Sequence, residues 1–214
     1  MNLSKTQKRQ IGAVLLIFIL ISIFASKRHW GPVPDNTTYH DVGFSFTYPR
    51  IYHLDEYAID VASIGKPFGD TFTPLVEVVR YQSDPDSKLP PTYSDFIKNQ
   101  ALNLCGADGS TESITCTKAD AKPYTSAKGL SGQELTLTLV RKNLKTATTT
   151  STNYGPIYVF NTTPQPATGD PFRFQALFAY PSLAAFVGAT SSPELLQKVV
   201  DTLVIPGKVS TIGE

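Results

Sequence analysis

The chain has 214 residues, with 19 basic and 18 acidic side chains, a formal net charge of +1 and 17% charged residues. Charges of both signs are spread along the chain without blocks, which excludes the basic footprint of a nucleic-acid-binding protein, so we expect no nucleic-acid partner. Polarity comes mainly from Thr, Ser and Asn, a composition typical of exported β-rich proteins.

The first regular element is an uncharged apolar run of fifteen residues, IGAVLLIFILISIFA. At about 1.5 Å per residue, a helix of this length covers roughly 22 Å and can span a bilayer with little tilt. Lys5, Lys8 and Arg9 precede the run, so the positive-inside rule keeps residues 1–10 as a cytoplasmic tail. We therefore predict one transmembrane signal anchor at residues 11–26, in a single-pass protein of the cell membrane with an extracytoplasmic C-terminal domain.

A cleaved signal peptide, a lipoprotein anchor and a pilin leader are the alternatives for this run. Cleavage after Ala25 would leave the bulky Ile23 at the third position before the cut, and Lys27 and Arg28 follow directly. No cysteine comes directly after the run for lipid attachment, and the run lacks the acidic residue of a pilin leader. An uncleaved anchor is favoured, with a cleaved and freely secreted domain as the alternative.

Beyond the anchor the sequence predicts a linker and one domain. Residues 27–38 include Pro32 and Pro34 and predict an extended linker. Residues 39–207 have the length of a single domain with a sizeable core, and residues 208–214 form a tail.

The domain begins with segments that have the alternation of β-strands. Aromatic and polar residues alternate from Asp41 to Tyr48 and predict a first strand, which Pro49 ends. Further strands are predicted at 57–64 and 71–82. Pro74 places the last of these near a sheet edge or makes it start late.

Two amphipathic helices are predicted, one before and one after a series of strands. The first spans residues 92–104, with Thr92 as its N-cap and Gly106 as its stop. The second begins at Pro193, with Ser192 as its cap. Between them we predict five strands and a polar hairpin loop: strands at 113–118, 123–127, 133–141, 154–162 and 172–180, and the loop at 142–153.

The chain has two cysteines, Cys105 and Cys116. In an oxidising compartment they predict one disulfide that closes a short loop, worth about 2.5 to 3 kcal/mol by loop-entropy arithmetic. The spacing fits neither a thioredoxin-type motif nor a zinc site.

This order of elements resembles the PsbP-like family, which is named for the extrinsic subunit of photosystem II. The resemblance is carried by the strand GFSFTYP at 43–49, the helix at 93–104 and the closing segment 192–205, and it covers about residues 39–206. It implies an α+β fold in which an antiparallel β-sheet is flanked by helices, as an α/β/α sandwich. Many bacterial PsbP-like proteins are membrane-anchored domains without known activity, so the resemblance implies a non-catalytic role.

Side chains that could support catalysis are few. The chain has three histidines, His29, His40 and His53, and no Gly-rich phosphate loop or GxSxG motif. The turn at 84–86 has two aspartates but lacks the Gly and the distal Glu of a calcium loop. We expect no catalytic residue, no cofactor and no metal ion. Asn36 and Asn161 begin N-glycosylation patterns, which matter only in a host that glycosylates exported chains.

One enzymatic alternative remains, because sortases are also signal-anchored proteins of this size with a catalytic Cys after Thr. In a sortase-like cysteine transpeptidase, Cys116 would be the nucleophile, His53 the proton donor and Arg141 the oxyanion stabiliser. The sortase pattern resembles Thr-Leu-x-Thr-Cys, whereas only the last two residues agree in this chain, Thr115 and Cys116.

The sequence therefore favours a membrane-anchored, extracytoplasmic, non-catalytic binding or scaffolding domain. We expect its partners to be the membrane, through the single span, and a protein of the cell envelope.

Overall fold

The computed structural model of this chain describes residues 35–41, 43–58, 60–68, 71–83, 92–163, 173–188 and 192–207. Apart from Asp35, all of them belong to one compact unit, Asn36–Glu214. The predicted cytoplasmic tail, the anchor at 11–26 and the C-terminal tail lie outside these ranges. Among the helices of the described ranges, none is both long enough and apolar enough to cross a membrane.

The centre of the domain is an eight-stranded sheet with the order β3-β4-β5-β10-β9-β8-β7-β6. Every pair of neighbouring strands in it is antiparallel. The strands are β3 (His53–Ala58), β4 (Val61–Phe68), β5 (Thr71–Gln82), β6 (Gly106–Asp108), β7 (Glu112–Thr125), β8 (Ser131–Asn143), β9 (Thr149–Asn161) and β10 (Gln175–Pro181).

A separate two-stranded hairpin and three helices complete the described fold. The hairpin is β1 (Asn36–His40) with β2 (Ser45–Pro49), and the helices are α1 (Tyr93–Leu102), α2 (Leu183–Val187) and α3 (Pro193–Thr202). This mostly antiparallel sheet with a few helices confirms the α+β prediction.

Each face of the sheet has its own apolar core because strand side chains point alternately to opposite sides. On one face, Tyr158 and Phe160 of β9 pack with the apolar side of α3. The same core includes Phe46 of β2 and Phe44, which directly precedes β2. On the other face the core includes buried side chains of α1, β8, β9 and β10. Thus α1 and α3 cover opposite faces.

The segment after α3 fixes the β1–β2 hairpin. Ser45 and Val204 exchange two backbone hydrogen bonds, with N–O distances of 2.9 and 2.8 Å. The Thr202 hydroxyl accepts a further bond from the Thr47 amide at 2.9 Å. The two ends of the domain are therefore joined by backbone and side-chain bonds.

The bounds of several elements differ from the sequence predictions. The predicted strand at 57–64 is interrupted by a turn, so that β3 and β4 form a hairpin there. The two predicted strands at 113–118 and 123–127 are parts of one long strand, β7. Strand β1 begins at Asn36, inside the predicted linker, and α2 had no counterpart in the prediction.

Pro74 does not place β5 near a sheet edge, but the pairing of β5 with β10 does start late. Strand β5 has the predicted bounds 71–82, but it is the third strand of the sheet rather than an edge. Pairing with β10 starts only at Val76, opposite Pro181, so Pro74 has no β10 neighbour. On its other side Pro74 lies at a register shift, opposite Gly65. A residue without an amide hydrogen is tolerated at such a locally open position.

Candidate functional site

The predicted disulfide is present. Cys105 and Cys116 are bonded, with their Cα atoms 5.4 Å apart, and the described residues contain no free cysteine. The bond links the segment just after α1 to the middle of β7. It therefore holds α1 against its face of the sheet.

The three residues of the transpeptidase alternative are not brought together. Arg141 on β8 lies opposite Ile114 of β7, two residues from Cys116, so these two are diagonal neighbours about 7 to 8 Å apart. His53 is on β3, six strand positions from β7 in the sheet order. At about 4.8 Å per strand this is roughly 29 Å, far beyond the reach of a proton transfer.

An open groove lies on the α1 face of the sheet and contains Arg141. It has a volume of about 220 Å³ and is lined by Leu139, Arg141, Thr150, Thr152, Phe186 and Val187. We call it the Arg141 groove. Its floor comes from β8 and β9 and its wall from α2.

The groove exists because β10 is shorter than β9. Strand β10 pairs with β9 from Tyr158 to Asn161 only, whereas β9 continues back to Thr149 along β8. After Pro181 and Ser182 the chain enters α2, whose Phe186 ring packs edge-on against the Tyr154 ring at 4.8 Å. The Tyr154 hydroxyl donates a hydrogen bond to the Pro181 carbonyl oxygen, which fixes the start of α2 against β9.

Among the described residues that line the groove, Arg141 alone is charged. Its Nε lies 2.9 Å from a carboxylate oxygen of Glu112, and the two side chains are 35% and 39% exposed. Such a partly exposed pair contributes about 0 to 1 kcal/mol to stability, and the Nε–H does not point at the carboxylate closely enough to form a hydrogen bond. The groove therefore combines apolar side chains, two threonines and one cation, a combination suited to an anionic group with an apolar body.

A second polar group on the same face is Glu77 of β5. Its neighbours across the strands are Ser63 and Tyr180, and the Ser63 hydroxyl lies 3.4 Å from its carboxylate. Burial raises the pKa of Glu77, and hydrogen bonds from Tyr180 and Ser63 offset part of that rise. Burial also raises the pKa of the Tyr180 and Tyr154 hydroxyls, with the charge of Glu77 as the next cause. In this cluster, neutral tyrosine side chains surround a carboxyl group, Glu77, whose ionisation is disfavoured.

The sequence did not point to this site. Thr150 and Thr152 fell in the predicted hairpin loop at 142–153, and Phe186 and Val187 belong to the unpredicted helix. Arg141 is the predicted oxyanion stabiliser of the transpeptidase alternative rather than a predicted binding residue. Within the described residues, no three His, Cys, Asp or Glu side chains group as a metal site would require. The aspartate-rich turn at 84–86 lies outside the described residues.

The chain matches no protein-family model and no curated protein. A crystal structure from Bacteroides thetaiotaomicron VPI-5482, at 1.50 Å resolution, aligns with 81% of this chain and 49% of that chain. The sequence identity is 10% and the TM-score is 0.29. This chain therefore spans about half the length of that structure.

Proposed function

We propose that this chain is a membrane-anchored, extracytoplasmic binding domain of the PsbP-like type, and that it is not an enzyme. The domain would recognise a protein of the cell envelope while the N-terminal anchor holds it at the membrane.

The disulfide is the main observation that supports an extracytoplasmic location. Disulfides persist in oxidising compartments outside the cytoplasm and are rare inside it. Cys105 and Cys116 are joined in the structure, which fits a domain exported behind the apolar run. The cations before that run support the same orientation.

Two features support binding over transpeptidation. The sulfur that would serve as nucleophile is engaged in the disulfide, and a thiolate is required for nucleophilic attack. His53 lies on the far edge strand of the sheet. The Arg141 groove offers a place for a ligand without requiring either residue.

The PsbP-like type is supported by helices on both faces of an antiparallel sheet and by the GFSFTYP segment, whose last five residues are β2. Superposition on a solved PsbP-like domain tests it. We expect the same strand order; a different connection of the central strands would contradict the assignment.

The location is tested with the full chain carrying a C-terminal epitope tag in a bacterial host. We expect the tag to fractionate with membranes after an alkaline wash and to be digested when protease is added to spheroplasts. A tag that resists protease until lysis would place the domain in the cytoplasm, and a tag in the medium would favour the cleaved, secreted alternative.

A matched variant checks that the apolar run is the anchor. Replacing Leu16 and Leu20 by Arg adds two charges to the run, each costing about 2.5 to 3.5 kcal/mol at a bilayer centre. We expect the variant to leave the membrane fraction, whereas Leu16→Val with Leu20→Val should stay in it.

A further inference from the structure

Beside the Arg141 groove, strand β9 has an open edge. Residues 149–153 of β9 are exposed and pair with β8 on one side. On the other side β10 begins to pair only at Tyr158, and no other described strand adjoins this stretch. An unpaired edge presents a row of backbone N–H and C=O groups that an extended peptide can bind by adding a strand.

The size and lining of the groove restrict what it can hold. A volume of about 220 Å³ is below the 300 to 1,000 Å³ of pockets for drug-sized ligands. It suits one apolar side chain together with a small polar group. Leu139, Phe186 and Val187 provide the apolar contacts, and Arg141 provides a cation at the same site.

We infer that the Arg141 groove binds the C-terminal residue of a partner polypeptide. The terminal carboxylate pairs with the Arg141 guanidinium, and the terminal side chain, an apolar one, packs against Phe186 and Val187. The residues that precede it extend along the open edge of β9. This inference rests on the proposed binding function and gives the chemistry of the partner.

The guanidinium has the capacity for this second carboxylate. It carries five N–H donors, and a bidentate carboxylate uses two of them. The contact with Glu112 is made at Nε, so a ligand carboxylate can pair with the other donors of the guanidinium. Thr150 and Thr152 line the same groove, and a threonine hydroxyl can donate a hydrogen bond to a carboxylate or to a peptide carbonyl.

The test measures binding to the purified full chain in detergent micelles by ligand-observed NMR titration. The probes are acetylated Thr-Val-Thr-X tetrapeptides with X as Leu, Val, Ile or Phe, each as the free acid and as the C-terminal amide. A further probe, 4-methylpentanoate, has the carboxylate and apolar body of a terminal Leu but no peptide groups.

We expect at least one free acid to bind at millimolar concentration or below, with its amide at least tenfold weaker. We also expect 4-methylpentanoate to bind at least tenfold more weakly than that peptide, because it cannot pair with β9. Equal affinity of acid and amide, or no binding of any acid at 10 mM, would overturn the inference. Equal affinity of 4-methylpentanoate would assign the groove to small free acids instead.

Variants of neighbouring cations on β8 locate the site. Arg141→Gln should weaken binding of the acid at least tenfold and abolish its advantage over the amide. Lys142→Gln removes a charge next to it, on an exposed side chain opposite Thr149, and should change the affinity less than twofold. Arg141→Lys keeps the charge without the forked geometry and should give an intermediate loss.

These outcomes are independent of the location experiment. If the tag is outside and membrane-bound but no peptide binds, the carboxylate inference fails and the proposed location stands. If a peptide binds but the tag is cytoplasmic, the proposed location fails and the carboxylate inference stands.

Discussion

Cys116 lies directly opposite Leu139 in the β7–β8 pair, so the disulfide adjoins the floor of the Arg141 groove. Cys105, at the other end of the bond, follows α1 and is buried in the core of the same face. The link that stabilises α1 on the sheet thus also borders the proposed binding site.

We expect the double variant Cys105→Ala, Cys116→Ala to lower the free energy of unfolding by about 2.5 to 3 kcal/mol, because the disulfide restricts the unfolded chain. Urea denaturation of the purified chain measures this change. Wild-type protein reduced with dithiothreitol is the control and should unfold at nearly the same urea concentration as the double variant.

Alkylation with a mass tag checks the state of the same two thiols. We expect no label on the native protein and two labels after denaturation and reduction. Rapid labelling of native Cys116 would contradict the disulfide and would make substitution of His53 the next test of transpeptidation.

The buried carboxyl of Glu77 should make the stability of the domain depend on pH. Because burial raises its pKa in the folded protein above the ordinary value of 4.5, the folded state resists ionisation of this carboxyl. The stability that the protonated form provides is complete below about pH 4.5 and decreases as the pH rises through the folded-state pKa. Glu77→Gln cannot ionise and keeps an oxygen that can accept bonds from Ser63 and Tyr180.

We therefore expect Glu77→Gln to be more stable than the wild type at pH 7 and equally stable at pH 4, measured by urea denaturation across this range. A wild-type profile that rises with pH relative to Glu77→Gln would show that the sign is wrong.

Gly155 should not tolerate a side chain. It lies in β9 at φ +144°, and an added Cβ would be 2.9 Å from the carbonyl oxygen of Leu135. We expect Gly155→Ala to cost about 1 to 3 kcal/mol, the range for strained backbone conformations. Gly106→Ala is the control because no atom lies within 4 Å of its added Cβ. Thermal unfolding should separate the two variants clearly; similar melting temperatures would contradict the backbone argument.

The two long helices differ at their N-caps. The Thr92 hydroxyl accepts a hydrogen bond from the Asp95 amide at 3.2 Å, whereas the Ser192 side chain makes no capping bond. We expect Thr92→Ala to cost about 1 kcal/mol and Ser192→Ala to cost much less. Denaturant midpoints of the two variants test this, and equal losses would mean that the Thr92 bond does not contribute.

The sequence predicted elements whose local pattern agrees with their final environment. Strand β5 has its predicted bounds because its β-branched and aromatic residues face two apolar cores. Helix α1 has its predicted cap because Thr92 can bond within its own first turn. In both places local preference and tertiary packing favour the same structure.

Other elements depend on contacts that no local pattern contains. The turn that separates β3 from β4 is held by Asp60, whose carboxylate lies 2.6 Å from Arg80 on β5. The middle of β7 is polar and exposed, and its strand conformation comes from pairing with β8. Helix α2 has only five residues, too few for a helical periodicity to be visible, and the groove wall was missed with it.

The position of β10 also determines the order in which the molecule can be completed. Strand β10 follows both β5 and β9 in the chain, every residue in it is buried, and it lies between these two strands in the sheet. A chain emerging during synthesis can form the hairpins on either side, but they have no shared strand until Gln175–Pro181 has been made. Until then β5 and β9 each expose an unpaired edge, and a nascent chain that stops short of this segment remains two half-sheets that are open to aggregation.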